Sequence, residues 1–201
     1  LNIEALAVPV SCNTAIELSD KFAHVKRTKI GSPYVIAEFA ELAKTFNSVA
    51  GFEANGGFLL GTDVLLNGKQ LKALPTRDAI LPVIMLLAAA GDNVISTLIN
   101  ALPQRFTHSD RIQNFAREQS QAIIEQGKSD PTKLLATLGF DNINIESVDE
   151  TDGLRITLKD GKIVHLRPSG NAPELRCYAE ADNYLLATDC VVKSLIKLQA
   201  L

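Results

Sequence analysis

In the first hundred residues, short unbroken apolar runs alternate with stretches of helical spacing, the pattern expected of an α/β layer domain. Ala5 to Val10 is a compact apolar strand. Asn13 stands where a helix cap belongs, which predicts a helix to about Phe22, and His24 to Thr28 is the next strand. Gly31-Ser32-Pro33 predicts a second helix, with Ser32 as its cap and Pro33 at the first helical position, where a missing N–H costs nothing. Val35, Phe39 and Leu42 then recur on one helical face. Strands over Val49 to Glu53 and Phe58 to Leu60 flank the turn Ala54-Asn55-Gly56-Gly57. Thr76 is expected to cap an apolar helix that is kinked at Pro82 or begins at Leu81.

The pattern changes between Pro103 and Ser109, which sets two domains, residues 1–104 and 105–201. After the boundary come a strand, a helix from Asn114 to Gln126, a short helix from Pro131 to Leu138 and then an antiparallel ladder. Asp160-Gly161 between Leu154 to Leu158 and Ile163 to Leu166 is a strong hairpin signal. A strand over Leu175 to Ala181 follows. The last helix is expected to be capped by Asp182, with Tyr184, Ala187, Val191, Leu195 and Leu198 on one apolar face. The predicted class is α/β: a mixed-sheet α/β/α domain, then a smaller α+β domain with an antiparallel sheet and flanking helices.

Composition narrows the functional classes. With 46% hydrophobic and 21% charged residues over 201 positions, the chain has enough apolar surface for real cores. Twenty Lys and Arg against 23 Asp and Glu give a net charge of −3, shared evenly between the halves, so no field invites a nucleic acid. The apolar run Ala79 to Ala90 is broken by Pro82 and falls short of the roughly 20 residues of a bilayer span, so no membrane partner is expected. Cys12, Cys177 and Cys190 are odd in number and lack metal-ligand spacing; they are expected to pack in a cytoplasmic protein. The single methionine is Met85, so residue 1 is not expected to be the natural start. No GxSxG, Walker loop, HExxH or CxxC is present, and neither a catalytic residue nor a metal ligand is assigned.

Three segments carry candidate chemistry. Arg167-Pro168-Ser169-Gly170-Asn171-Ala172-Pro173 joins two strands and offers a guanidinium, a hydroxyl and the N–H groups of Gly170 and Asn171. Such a loop can form a nest of donors around a tetrahedral oxyanion such as phosphate, and it equally fits an ordinary polar turn. Arg176 either adds a second cation or pairs with Glu174. In Gly51-Phe52-Glu53-Ala54-Asn55-Gly56-Gly57, Glu53 and Asn55 can bond vicinal hydroxyls from one tight turn, or simply decorate a solvated hairpin. Thr28-Lys29-Ile30-Gly31-Ser32 runs into a helix N-terminus that favours anions, or is a plain connection. His24, His108 and His165 are far apart and are expected to be exposed or pairing. The carboxylates Asp141, Glu146, Asp149, Glu150 and Asp152 read as a solvated edge.

Taken in order, these loops resemble the α-D-phosphohexomutase family, the phosphomannomutase/phosphoglucomutase type above all. Arg167 to Pro173 looks like its phosphate loop R-[PA]-S-G-T-E-P, and Leu175 to Glu180 continue the match. Gly51 to Gly57 resembles the sugar loop G-G-E-x-S-G-H. Thr28-Lys29-Ile30-Gly31 resembles T-K-V-G, and Thr76-Arg77-Asp78-Ala79-Ile80 resembles T-x-D-G-I. The resemblance implies that this chain covers the third and fourth domains of a four-domain enzyme. It implies a phosphoserine in the missing first domain, a Mg²⁺ site in the missing second, and a hexose 1,6-bisphosphate as intermediate and activator. Glu53, Asn55 and Gly57 would then hold sugar hydroxyls. Arg167, Ser169, Gly170 and Asn171 would hold the substrate's non-reacting phosphate, with Lys29, Gly31, Ser32 and Arg176 as secondary contacts.

The chain departs from the family pattern at Asn55 for Ser, Gly57 for His, Asn171-Ala172 for Thr-Glu, and Ser32 for a frequent His. The implied function is interconversion of hexose 6-phosphate and hexose 1-phosphate by the complete enzyme, with this piece inactive alone. Two alternatives stand beside it: a piece of a phosphoglucosamine mutase, and a non-catalytic module that binds sugar phosphates.

Overall fold

The computed structural model describes residues 1–201, the side chain of Pro75 excepted, as two compact units, Leu1–Gln104 and Arg105–Leu201. The first unit is built on β1 (Ala5–Pro9), followed by a single turn of helix, α1 (Ala15–Leu18), and β2 (His24–Thr28). The helix expected as far as Phe22 stops at Leu18, because Asp20 takes a left-handed φ of 52° that ends the spiral. Then come α2 (Ser32–Leu42), β3 (Val49–Phe52), β4 (Phe58–Leu60), β5 (Val64–Leu66), β6 (Lys69–Leu71), β7 (Leu74–Asp78), α3 (Ile80–Ala90) and α4 (Ile95–Asn100).

The main sheet runs β2-β1-β3-β4-β7, parallel across β2-β1-β3 and antiparallel beyond, so it is mixed as expected. Alternate residues of the strands face opposite ways. Ala5, Ala7, Val49 and Leu59 pack under Val35, Phe39 and Leu42 of α2, while Leu6, Val8, Ala50 and Leu60 form the other layer with Cys12 and Val64. β5 and β6, which the pattern above does not anticipate, are a separate hairpin closed by Asn67-Gly68. Both turn residues have positive φ, 51° and 74°, the geometry that an Asn-Gly turn supplies.

Three expected caps are displaced in this unit: the cap of α1 is Thr14, not Asn13, whose Oδ1 accepts from the Ala15 N–H at 3.3 Å. Gly31, at φ 134°, caps α2, and Ser32 is already helical. Thr76 lies within β7; it is Asp78 whose Oδ1 accepts from the N–H groups of Ile80 and Leu81, at 2.8 and 3.0 Å. Pro82 is therefore inside the first turn of α3, where no N–H is needed, and the helix runs through it. α3 and α4 pack on each other and leave Val83, Ile84, Leu87 and Ile99 exposed.

The second unit contains β8 (Phe106–Gln113), α5 (Arg117–Ser129), α6 (Pro131–Thr137), β9 (Ile145–Asp149), β10 (Leu154–Leu158), β11 (Ile163–Pro168), β12 (Glu174–Ala181) and α7 (Tyr184–Gln199). Its sheet, β8-β12-β11-β10-β9, is antiparallel throughout. Leu154, Ile156, Val164, Leu166, Leu175 and Cys177 form one core with residues of the three helices. The opposite face carries Arg111, Arg176 and Arg167 in register on three neighbouring strands, and beside them Ser109, Tyr178, His165 and Arg155.

Asn183, not Asp182, caps α7 by accepting from the Leu186 N–H at 2.9 Å. Asp182 is taken instead by Arg105, which also donates Nε to Glu180 at 2.6 Å and reaches the Gly161 carbonyl. One guanidinium thus ties the start of β8 to the end of β12 and to the β10–β11 turn. Among the described residues, no helix is long and apolar enough to cross a membrane.

Candidate functional site

In the first unit, three separated segments meet at Glu53, just past the end of β3. The residue is 8% exposed. Oε2 accepts from the Ser32 hydroxyl at 2.6 Å and stands 3.7 Å from Nε of Arg77. The turn that holds it is closed by backbone bonds from Glu53 N to the Gly57 carbonyl and from Gly56 N to the Glu53 carbonyl, both 2.9 Å. Gly56 takes φ 86°, which suits a residue without Cβ. An ionised carboxylate has about four acceptor positions, so Glu53 can receive further hydroxyls beyond that of Ser32.

The other residues expected at this site are committed elsewhere or face outward. Asn55 is exposed, and its Oδ1 accepts from Gly57 N at 3.0 Å, which leaves its amide donors to face outward contacts. Gly57 has Arg77 directly against it, since a Cβ there would lie 2.7 Å from Arg77 Cδ. Lys29 is exposed and holds its ammonium 5.9 Å above the Tyr34 ring. Arg77 was not anticipated as a site residue. It lies in the Thr76 to Ile80 segment, whose spacing points to a helix start, and only the strand geometry of β7 turns it toward Glu53.

In the second unit, the loop between β11 and β12 begins at Arg167, whose Nε donates to Asp152 Oδ2 at 2.7 Å. Ser169 is 6% exposed and is fixed by its N–H to the Glu174 carbonyl, 2.8 Å. Glu174 N in turn bonds the Ala172 carbonyl, and Asn171 N lies 3.5 Å from the Ser169 hydroxyl. Gly170 and Asn171 are exposed at the tip, with open space where a Gly170 Cβ would stand. Behind the loop, Glu174 is bracketed by Arg176 Nη2 at 3.3 Å and Arg111 Nε at 3.4 Å. One loop thus carries a guanidinium paired with Asp152, a buried hydroxyl and the exposed backbone of Gly170 and Asn171.

Asp152 departs from the reading of the acidic cluster as a solvated edge, because it is the partner of Arg167, while Asp141, Glu146 and Glu150 are exposed. His165 is buried and pairs: its Nε2 is 2.6 Å from the Asp152 carbonyl, and its ring stacks on Tyr178. Burial holds this imidazole down at about 4, so it is neutral at ordinary pH. The cysteines are buried and unpaired, and burial pushes Cys12 up to about 11 and Cys177 up to about 12, too high for a nucleophilic thiolate. No group of three or more His, Cys, Asp or Glu among the described residues could hold a metal ion.

Comparison with known proteins matches both units. Residues 2–106 match the model of the phosphoglucomutase/phosphomannomutase alpha/beta/alpha domain III, and residues 112–194 match that of the phosphoglucomutase/phosphomannomutase C-terminal domain. A phosphomannomutase of Salmonella muenchen is 56% identical over 183 residues, and one of Sinorhizobium fredii is 40% identical over 189; each alignment covers 91% of this chain. The chain spans 38% and 39% of the lengths of these relatives. The fold is also that of a phosphoglucomutase/phosphomannomutase family protein from Burkholderia thailandensis. That likeness has a TM-score of 0.65 at 20% identity and covers 98% of this chain and 38% of the other. With both halves matched in order and this identity to curated relatives, the chain belongs to the phosphoglucomutase/phosphomannomutase family.

Proposed function

We propose that this chain is the substrate-gripping part of a phosphomannomutase or phosphoglucomutase that interconverts hexose 6-phosphate and hexose 1-phosphate. Glu53, with Asn55 and Gly57 shaping the turn, holds sugar hydroxyls. Arg167, Ser169, Gly170 and Asn171 hold the phosphate that does not react, and Lys29, Gly31, Ser32 and Arg176 are secondary residues of the reading. The observation that carries this reading is the convergence of Ser32 and Arg77 on the nearly buried Glu53 carboxylate. A carboxylate held this way by two distant segments is organised for a ligand, where a turn that only reverses the chain needs no such support.

The phosphoserine and the Mg²⁺ site belong, in this proposal, to the two domains that precede the chain in the complete protein. Magnesium bound there supplies charge to the transferring phosphoryl group. The residues described here offer it no ligand set. What this chain supplies is orientation. Binding energy from the idle phosphate and the hydroxyls fixes the reacting oxygen, so remote contacts appear in the rate. Because the phosphate loop recognises charge and tetrahedral shape, it can hold either end of a hexose 1,6-bisphosphate.

The test is Glu53→Gln in the complete protein, assayed with mannose and glucose phosphates. The ratio of kcat/KM values between the two sugars is expected to shrink toward unity. An unchanged ratio would refute the role of Glu53. The purified 201-residue chain is expected to show no mutase turnover, and turnover free of contaminating enzyme would refute the division of labour.

A further inference from the structure

The β9–β10 turn is docked on β11 by three contacts that all bear on Arg167. Its Asp152 carboxylate accepts from Arg167 Nε at 2.7 Å, and both side chains are less than one-fifth exposed, at 18% and 16%. The Asp152 carbonyl takes a bond from His165 Nε2 at 2.6 Å, two residues before Arg167 on the same face of β11. Since a carbonyl can only accept, Nε2 carries the hydrogen and the ring is fixed in one tautomer. The third contact is Gly153, at φ 88°, where a Cβ would stand 2.3 Å from the Leu166 carbonyl and 3.0 Å from Arg167 Cα. Only glycine lets the turn come this close, so its backbone and its carboxylate are placed together.

An exposed ion pair is screened and free to swing. This one is neither exposed nor free, because Asp152 cannot move without breaking the His165 bond or lifting Gly153 from β11. A guanidinium has five N–H donors, so a carboxylate on the Nε edge still leaves donors for phosphate. We propose that Asp152, held by His165 and Gly153, is a positioning residue that presets Arg167 for the phosphate of the substrate. The proposal rests on the phosphate-loop reading given above. Its physical basis is the rotamer freedom of arginine: a side chain already fixed loses less entropy when the ligand binds.

The sign of the effect separates this role from simple electrostatics. Asp152 is an anion beside an anion-binding loop, so its removal should strengthen phosphate binding if charge alone mattered. If Asp152 presets Arg167, removal should weaken binding. In the complete protein, Asp152→Ala is expected to raise KM for a hexose 6-phosphate, and Ki for inorganic phosphate as competitor, by about 3- to 10-fold. Asp152→Asn keeps an oxygen for Nε and is expected to recover most of that loss. In an Arg167→Ala background, Asp152→Ala should add nothing, because it acts through Arg167. Should Asp152→Ala fail to fold, Asp152→Ser, too short to reach Nε, takes its place in the cycle. A normal loss from Arg167→Ala with no loss, or a gain, from Asp152→Ala overturns the proposal alone. Losses that multiply in the double variant overturn it too. An unchanged KM in Arg167→Ala overturns the phosphate-loop reading and this proposal with it.

Discussion

Ser32 and Glu53, 21 residues apart, meet through a 2.6 Å hydrogen bond in which the hydroxyl donates to the carboxylate. The bond uses the first residue of α2 to steady the acid that follows β3. A residue whose local role would be capping is thereby committed to the site. Ser32→Ala removes a donor to an ionised, nearly buried group, an interaction that contributes about 1.5–3 kcal/mol. Urea unfolding of the chain should fall in midpoint, and KM of the complete protein should rise. If neither changes, the bond has no part in holding Glu53.

Gly51, inside β3, and Gly57, in the turn that follows, have opposite expectations. A Cβ at Gly51 would lie 2.4 Å from Val35 Cγ1 and 2.6 Å from the Ala7 carbonyl, so Gly51→Ala drives β1 and β3 apart. The cost should reach the upper end of the roughly 1–3 kcal/mol of overpacked cores, read as a lowered melting midpoint. At Gly57 the obstacle is the flexible Arg77 side chain. Gly57→Ala should leave melting nearly unchanged while displacing Arg77 from Glu53, and so change substrate kinetics.

His165 makes the second unit sensitive to acid. Its folded value is lowered from 6.5 to about 4 by burial, so the unfolded chain takes up a proton first as pH falls. The stability that follows from this difference is complete above about pH 6.5 and declines as pH drops toward 4. At its fullest it is roughly 3 kcal/mol. Denaturant melts of the wild type from pH 7 to pH 4 should show this decline, and His165→Gln should flatten it. An equally steep decline in the variant would assign the acid sensitivity to other groups.

Arg105 joins three pieces of chain from a side chain only 9% exposed. Arg105→Ala leaves Glu180 and the Gly161 carbonyl without this partner and should destabilise the second unit by about 3 kcal/mol. Calorimetry should show that loss. A change within experimental error would mean that the surrounding groups find other partners.

Periodicity and turn chemistry made much of the fold legible. The helical spacing of Val35, Phe39 and Leu42 marked the buried face of α2, and Asp160-Gly161 marked a hairpin whose glycine has φ 80°. Asn67-Gly68 carries the same kind of signal, but its strands are three residues long and too short to show alternation. Two of the misplaced caps are residues that a tertiary partner takes. Glu53 takes Ser32, and Arg105 takes Asp182.

The loops of the candidate site were visible as composition, while their supports were not. Arg77 and Asp152 reach Glu53 and Arg167 across intervals that no local spacing encodes. Asp152 acts because the register of β10 on β11 swings the preceding turn over Arg167. That register is a property of the assembled sheet, and a run of acidic residues reads the same with or without it.

The pairing of β8 with β12 gives the second unit a schedule. Its first strand finds its partner only when Ala181 has been made, and the Arg105–Glu180 clasp spans 75 residues. At roughly 5–20 residues per second, a ribosome needs about 4–15 s to cover that interval. Throughout it, β9, β10 and β11 can form their hairpins while Phe106 to Gln113 wait as an open strand. Synthesis thus leaves the closing of this sheet, and with it the flank of the β11–β12 loop, until β12 has emerged.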